Sequence, residues 1–370
     1  METGNNKGEW SEFYAFLKIL EERKIFAADK NLDIVEGKFF VFHKIIREEK
    51  DETVKIYDIS QSATQVLITD EDGKLLKEFD TGSLKEKTLK IFDRMKNEKS
   101  RSFNIPEAQE LMKELLCTKV KASNAKKADL VAIIYDRISK TMPMLGFSIK
   151  SMVGGASTLL NPGQTTNFIY EVKGFKGDIA DVNGIQTKAQ IRDRVGRIAE
   201  QGGFFEYVGI SNEQFGSNMK MIDTALPEFI AQMLLDFFSN VRRTVADLTK
   251  ELSENENMKK KFGLSLTNYE YKVKNFLDAV ALGMVPSKPW DGFSKAHGGY
   301  IVVKENGDVV CYHLYNRDEF RSYLYENTRF DAPSTSRYGY GELYEENSKL
   351  FFKLNLQVRF LKGKQKRSKN

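Results

Sequence analysis

The segment KKADLVAIIYDRISKTMPMLGFSIKS, residues 126–151, limits what this chain can fold into more than any other. It contains two apolar runs rich in β-branched and aromatic residues, Ala128 to Tyr135 and Leu145 to Ser151, joined by a polar turn. Runs of this length and composition predict neighbouring strands of a sheet. Their polar residues sit at particular points: Asp129 opens the first run, and Ser148 and Lys150 close the second. Side chains alternate along a strand, so Ser148 and Lys150 share one face, and a hairpin can bring both close to Asp129.

An acid facing an x-Lys pair on the next strand suits metal-dependent cleavage of a phosphodiester. The carboxylate holds a divalent cation that polarises the phosphate and acidifies its water, while the ammonium orients that water or stabilises the pentavalent charge. Hard oxygen ligands favour Mg²⁺, and without a His or Cys cluster zinc is disfavoured. One carboxylate is a thin ligand set, so a second is expected from elsewhere. From Glu9 to Glu22 the apolar residues Phe13, Phe16, Leu17 and Leu20 recur at helical spacing. At about 100° per residue, Glu9 falls among Phe13, Phe16 and Leu20, and Glu12, at about 300°, lies on the edge of that stripe. A carboxylate buried there is costly unless it has a partner such as a metal, which makes Glu12 and Glu9 the candidate ligands beside Asp129.

The rest of the chain alternates between both textures. Phe39 to Ile46, Thr53 to Ile59, Thr64 to Thr69 and Lys74 to Phe79 read as strands, the last two joined by an Asp72-Gly73 hairpin turn. Charged helices are expected at about 83–98 and 106–117, a third strand at Asn167 to Val172, and helices at about 186–201, 219–252 and 268–283. The apolar stretch Leu226 to Phe238 carries Glu228 and Asp236 and reads as a core helix. After Pro286 and Pro289 strands and turns dominate: Gly299 to Val303, Val309 to Leu314 and Lys349 to Phe360. The expectation is an α/β fold, a mixed sheet flanked by helices. Residues 1–285 form its body, 286–360 a β-rich C-terminal region, and 361–370 a basic disordered tail.

Charge needs its distribution to be informative. Fifty-seven basic residues against 52 acidic leave a net charge of +5, and six of the basic ones crowd into the last twelve positions. Between Thr118 and Lys150, however, seven basic residues face two acids. Two cysteines are too few for a disulfide framework and suggest a reducing compartment. The N-terminus METGNNKGEW lacks an apolar leader, and no run reaches the ~20 apolar residues of a membrane span. A cytoplasmic protein without a membrane partner is expected.

Three longer stretches carry a resemblance: GEWSEFYAFLKILEERKIFAADKNL at 8–32, LGFSIKSMVGGASTLLNPGQTTNFIYEV at 145–172, and RFDAPSTSRYGYGELYEENSKLFFKLNLQVRF at 329–360. Together they resemble the type II restriction endonucleases of the HpaII family. That resemblance implies a restriction-endonuclease-like core and a homodimeric, Mg²⁺-dependent nuclease of the PD-(D/E)xK class. Such an enzyme cuts double-stranded DNA within the palindrome CCGG and leaves 5′-phosphate ends. A cognate DNA methyltransferase would be its genetic partner. In those terms Asp129 is the first metal acid and Lys150 the motif lysine. Ser148 stands where the pattern has Asp or Glu, so Glu12 or Glu9 would supply the missing ligand.

Reading CCGG requires donors to guanine O6 and N7 and acceptors for cytosine N4. Arg337, then Arg329 and Asp331, are the candidates around the Pro333 turn; Gln164 and Asn167, in the polar loop after the Lys150 strand, are further ones. Lys126 and Lys127 are candidate phosphate contacts. His43, His297 and His313 stand far apart in unlike contexts and read as packing or surface residues. Two rival readings differ in chemistry: a sequence-specific DNA-binding protein without nuclease activity, since Ser148 leaves the acid set incomplete, and a DNA-repair nuclease of the same core.

Overall fold

The two apolar runs become antiparallel strands, Leu130–Tyr135 and Met144–Ser151, with Leu130 opposite Phe147 and Ala132 opposite Leu145. They lie within a computed structural model that describes residues 4–50, 52–121, 128–137, 139–240 and 243–361. Along the second strand Phe147, Ile149 and Ser151 are buried while Ser148 and Lys150 are only partly so. This is the alternation that puts the two polar side chains on one face.

The described chain divides into two units, one comprising the residues up to Ser157 with Ser294–Tyr323, the other Thr158–Phe293 with Leu324–Leu361. The first unit is built on a mixed nine-stranded sheet. Its order is Lys24–Ala28, Val309–His313, Gly299–Val303, Met144–Ser151, Leu130–Tyr135, Ile34–Glu48, Val54–Asp58, Gln65–Thr69 and Leu75–Asp80. Lys24–Ala28 also pairs with Ile34–Glu48, so the first six strands close into a barrel-like ring. The fifteen-residue strand Ile34–Glu48 makes closure possible by serving two sets of neighbours. Its first half pairs with Lys24–Ala28, and its second half with Leu130–Tyr135 and Val54–Asp58. Gly37 within it takes φ +77°, a left-handed conformation that a side chain would disfavour.

The first helix, Lys7–Glu22, packs against the Met144–Ser151 strand and the helix Leu84–Asn97. Trp10, Phe13, Phe16 and Leu17 are fully buried in one core with Phe42, Tyr57, Phe147 and Ile149. Trp10 also donates its indole N–H to the Phe103 carbonyl at 3.0 Å. The hydroxyls of Ser11 and Ser151, each one residue from a candidate functional side chain, are hydrogen-bonded at 2.7 Å in the interior. That bond fixes the height of the helix along the strand.

The second unit has a four-stranded antiparallel sheet, ordered Phe204–Ile210, Asn167–Lys173, Lys349–Asn355 and Leu343–Glu346. A smaller sheet joins Thr328–Phe330, Val358–Phe360 and Thr158–Leu160. The apolar stretch forms the helix Leu226–Ser239, with Phe229, Ile230, Met233 and Leu234 fully buried. The long helical segment expected over 219–252 is three helices, Glu213–Ile222, Leu226–Ser239 and Val245–Glu254. Pro227 starts the second, and Thr244 caps the third by accepting the Asp247 N–H.

A linear boundary near residue 285 is not where the units divide. Gly299–Val303 and Val309–His313 complete the first sheet, whereas Lys349–Asn355 pairs with Asn167–Lys173 in the second unit. Which distant strand edge meets which is a non-local property that composition does not carry. The basic residues from Lys362 onward lie outside the described residues.

Trp10→Ala should remove the largest buried side chain of the first helix and cost about 3–5 kcal/mol of unfolding free energy, measured by urea denaturation. A loss below about 1 kcal/mol would show that the helix is held by other contacts.

Candidate active site

Asp129 is placed by the backbone before any side chain acts on it. Its N–H donates to the Phe147 carbonyl at 2.9 Å, which holds it at the mouth of the hairpin. Its Oδ2 accepts the Ile149 N–H at 2.8 Å and the Ser148 hydroxyl at 3.1 Å. Ser148 therefore helps to orient Asp129. These two donors leave Oδ1 of Asp129 directed to other partners, and it lies 3.6 Å from the Lys121 ammonium.

Glu12 reaches the same ammonium from the first helix, its Oε1 3.3 Å from Lys121 Nζ. Its other oxygen, Oε2, is buried with no hydrogen-bond partner among the described residues. Burial, reinforced by the neighbouring Asp129 carboxylate and only partly opposed by Lys121 and Lys150, pushes the Glu12 carboxyl up to about 7. Burial acts against the charged Lys121 ammonium, but Glu12 and Asp129 outweigh it and raise its pKa. Lys150 shares the Ser148 face of the strand and lies within electrostatic reach of Glu12. Glu12, Asp129, Ser148 and Lys150 are thus gathered into one polar site.

Glu9 does not join them. Its carboxylate accepts the Asn6 N–H at 2.8 Å while Asn6 accepts the Glu9 N–H, a reciprocal cap on the first turn. A residue three positions into a helix is well placed to satisfy unpaired N–H groups, and that demand takes precedence over its place on the apolar stripe. Lys121 is the participant that sequence reasoning did not single out. The seven-to-two basic excess marked its neighbourhood, but nothing in the local pattern set it apart from Lys119.

The donor set fits a hard divalent cation. Two carboxylates converge, and one buried oxygen, Glu12 Oε2, lacks a partner among the described residues. Mg²⁺ takes one or two protein carboxylates and retains several waters. Among the described residues no group of three or more His, Cys, Asp or Glu side chains gathers for a metal, so further ligands would have to be water, hydroxyl or carbonyl oxygens. His313 is buried and stacked on Phe40, with ring centroids 4.7 Å apart. Both cysteines are buried and unbridged.

The base-reading candidates belong to the second unit and separate into two groups. Arg337 is exposed in the short helix Thr335–Tyr338, its guanidinium 5.5 Å from the centre of the Tyr338 ring. Gln164 is also exposed. Asn167 is buried instead: its amide donates to the Tyr338 carbonyl at 2.9 Å, and its oxygen accepts from Asn355 at 2.6 Å. The carbonyls and amides of a packed turn have used up its hydrogen-bonding capacity, so it supports the Arg337 helix rather than facing DNA. Arg329 and Asp331 are tied to each other at 3.5 Å, and Arg359 approaches Asp331 at 3.2 Å. Because Arg329 and Arg359 face one another across paired strands, Asp331 offsets their repulsion. Lys126 and Lys127 lie outside the described residues.

The model of the HpaII restriction endonuclease family matches residues 6–360. The type II restriction enzyme HpaII of Haemophilus parainfluenzae is 36% identical over 357 residues, which cover 96% of this chain and 98% of that enzyme. No solved structure matches the chain.

Unfolded, Glu12 titrates at the ordinary 4.5; folded, it keeps its proton to about 7. Between those values the folded state binds the additional proton. The resulting stability is fully present below about 4.5 and is lost as pH rises through about 7. Measured in chelator from pH 4.5 to 8, the wild-type protein should lose on the order of 3 kcal/mol relative to Glu12→Gln. Parallel urea-midpoint profiles would refute a perturbed Glu12.

Proposed function

Since the chain belongs to the HpaII restriction endonuclease family, we propose that it acts as a Mg²⁺-dependent homodimer cutting both strands of DNA within CCGG. It is a type II restriction enzyme, a site-specific deoxyribonuclease of a restriction–modification system. The observation that carries the mechanism is the convergence of Glu12 on Asp129 beside Lys150, from opposite ends of the first 150 residues. It supports a restriction-endonuclease-like core of the PD-(D/E)xK class in which the motif acid has moved from the strand to the helix.

Asp129 and Glu12 would hold the divalent cation, which supplies Lewis acidity toward the phosphate and lowers the pKa of a bound water. Ser148 and the Ile149 N–H keep Asp129 oriented, so little reorganisation is needed as the reaction proceeds. Lys150 carries a positive charge at the strand face where the scissile phosphate would lie, and offsets the charge that builds on its oxygens. In-line attack by water would form a new P–O bond as the P–O3′ bond breaks, with O3′ taking up a proton from solvent, leaving a 5′-phosphate and a 3′-hydroxyl.

A palindrome offers the same half-site twice, which a twofold dimer reads with one surface. Arg337, exposed on a turn that Asn167 braces, is the leading donor to guanine. A host carrying such an enzyme needs a methyltransferase to protect its own sites. The chain works where that DNA is, in the cytoplasm, and among the described residues no helix is long and apolar enough to cross a membrane.

Digestion of plasmid and genomic DNA with Mg²⁺, followed by sequencing of the ends, tests this directly. Every end should fall in CCGG with a 5′-phosphate; a different fixed sequence would overturn the specificity. Asp129→Asn and Lys150→Ala should each lower cleavage by at least about 100-fold while CCGG binding persists. Undiminished cutting by either would remove that residue from the site.

Arg337→Ala should weaken CCGG binding by about 1–3 kcal/mol and leave affinity for unrelated duplex nearly unchanged. Equal losses on both DNAs, measured by fluorescence anisotropy, would make it a backbone contact.

A further inference from the structure

We infer that Lys121 is the resident counter-ion of the Glu12–Asp129 pair, and that its ammonium and a divalent cation exclude one another from that site. The inference rests on the reading of Glu12 and Asp129 as cation ligands. Its own support is the position of one side chain. Lys121 Nζ stands 3.3 Å from Glu12 Oε1 and 3.6 Å from Asp129 Oδ1, between two carboxylates contributed by a helix and a strand. Asp129 Oδ2 is committed to Ser148 and Ile149. The oxygens that Lys121 faces are therefore among those a cation would use.

Two carboxylates in a partly dry site repel each other, and a cation must offset that repulsion. Lys121 does so as a point charge on a flexible stem. A divalent ion does it better, with twice the charge and ligand distances of 2.0–2.1 Å for Mg²⁺. Both positive charges cannot hold the same ground, so loading the ion requires the ammonium to leave. The side chain is built to leave: it is 52% exposed, whereas Glu12 and Asp129 are 12% and 19% exposed.

Lys121 and Lys150 therefore have different roles. Lys150 is carried on the strand whose alternate residues are buried, and its charge remains when the ion binds. Lys121 is a positioning residue for the metal-free form, keeping the carboxylate pair together until an ion replaces it. This makes the apparent affinity for the ion weaker than the carboxylates alone would give.

The test is Mn²⁺ titration of the full-length, DNA-free protein at pH 8, with the free ion read by electron paramagnetic resonance. Lys121→Met should bind Mn²⁺ about three- to tenfold more tightly than wild type, and Lys121→Arg, which keeps the competing charge, should stay within about twofold of it. Thermal melts in chelator verify that each variant is folded. Unchanged or weaker binding by Lys121→Met, while Asp129→Asn loses binding, would overturn this inference and leave the site reading intact. If Asp129→Asn binds as well as wild type, the site reading fails and this inference fails with it.

Discussion

Two carboxylates held in one partly buried site set the terms for the first unit. Burial raises the cost of charging Glu12, and the neighbouring Asp129 carboxylate adds to it. A chain free to relax would separate them, so the surrounding structure has to impose their approach. Trp10, Phe13 and Phe16 anchor the helix in the core. The bond between Ser11 and Ser151 sets its height on the strand, and two donors on the hairpin fix Asp129. The stability generated by that packing is partly spent on holding two carboxylates beside one another, with the Lys121 ammonium between them offsetting part of their repulsion.

A serine at position 148 suits this setting. A carboxylate at 148 would face Asp129 on the same strand pair and add a third negative charge. The Ser148 hydroxyl instead donates to Asp129 Oδ2. The second carboxylate enters from the helix, on the other side of the Lys121 ammonium. Charge is thereby distributed around the position a cation would take, with one fewer anion to offset when it is absent.

In the second unit the same economy appears in neutral form. Asn167 and Asn355 are buried side by side and bonded to each other, and Asn167 reaches the carbonyls at the end of the Arg337 helix. Buried amides cost free energy unless their donors and acceptors are used, and here they brace a short helix that presents an exposed arginine. Asp331 does comparable work between Arg329 and Arg359. Residues that look like DNA contacts in a linear reading can equally be the supports of one.

Local pattern was enough for most elements. The Glu9–Glu22 periodicity corresponds to the helix Lys7–Glu22, the Asp72-Gly73 turn lies between Gln65–Thr69 and Leu75–Asp80, and the Leu226–Phe238 stretch is a buried helix. Alternation along 145–151 alone determined that Ser148 and Lys150 share a face, because strand geometry leaves no other outcome. Partner choice was decided only by the tertiary structure. Closure of six strands into a ring, the contribution of Gly299–Val303 to the first unit, and the burial of Asn167 all depend on which distant surfaces meet. So does the selection of Glu12 over Glu9, since both lie on or beside the apolar stripe and differ in what the folded chain sets opposite them: a capping N–H for Glu9, a lysine and an aspartate for Glu12. Sequence spacing fixes the direction in which a side chain leaves its own helix or strand; the group it meets there belongs to another part of the chain and arrives only on folding.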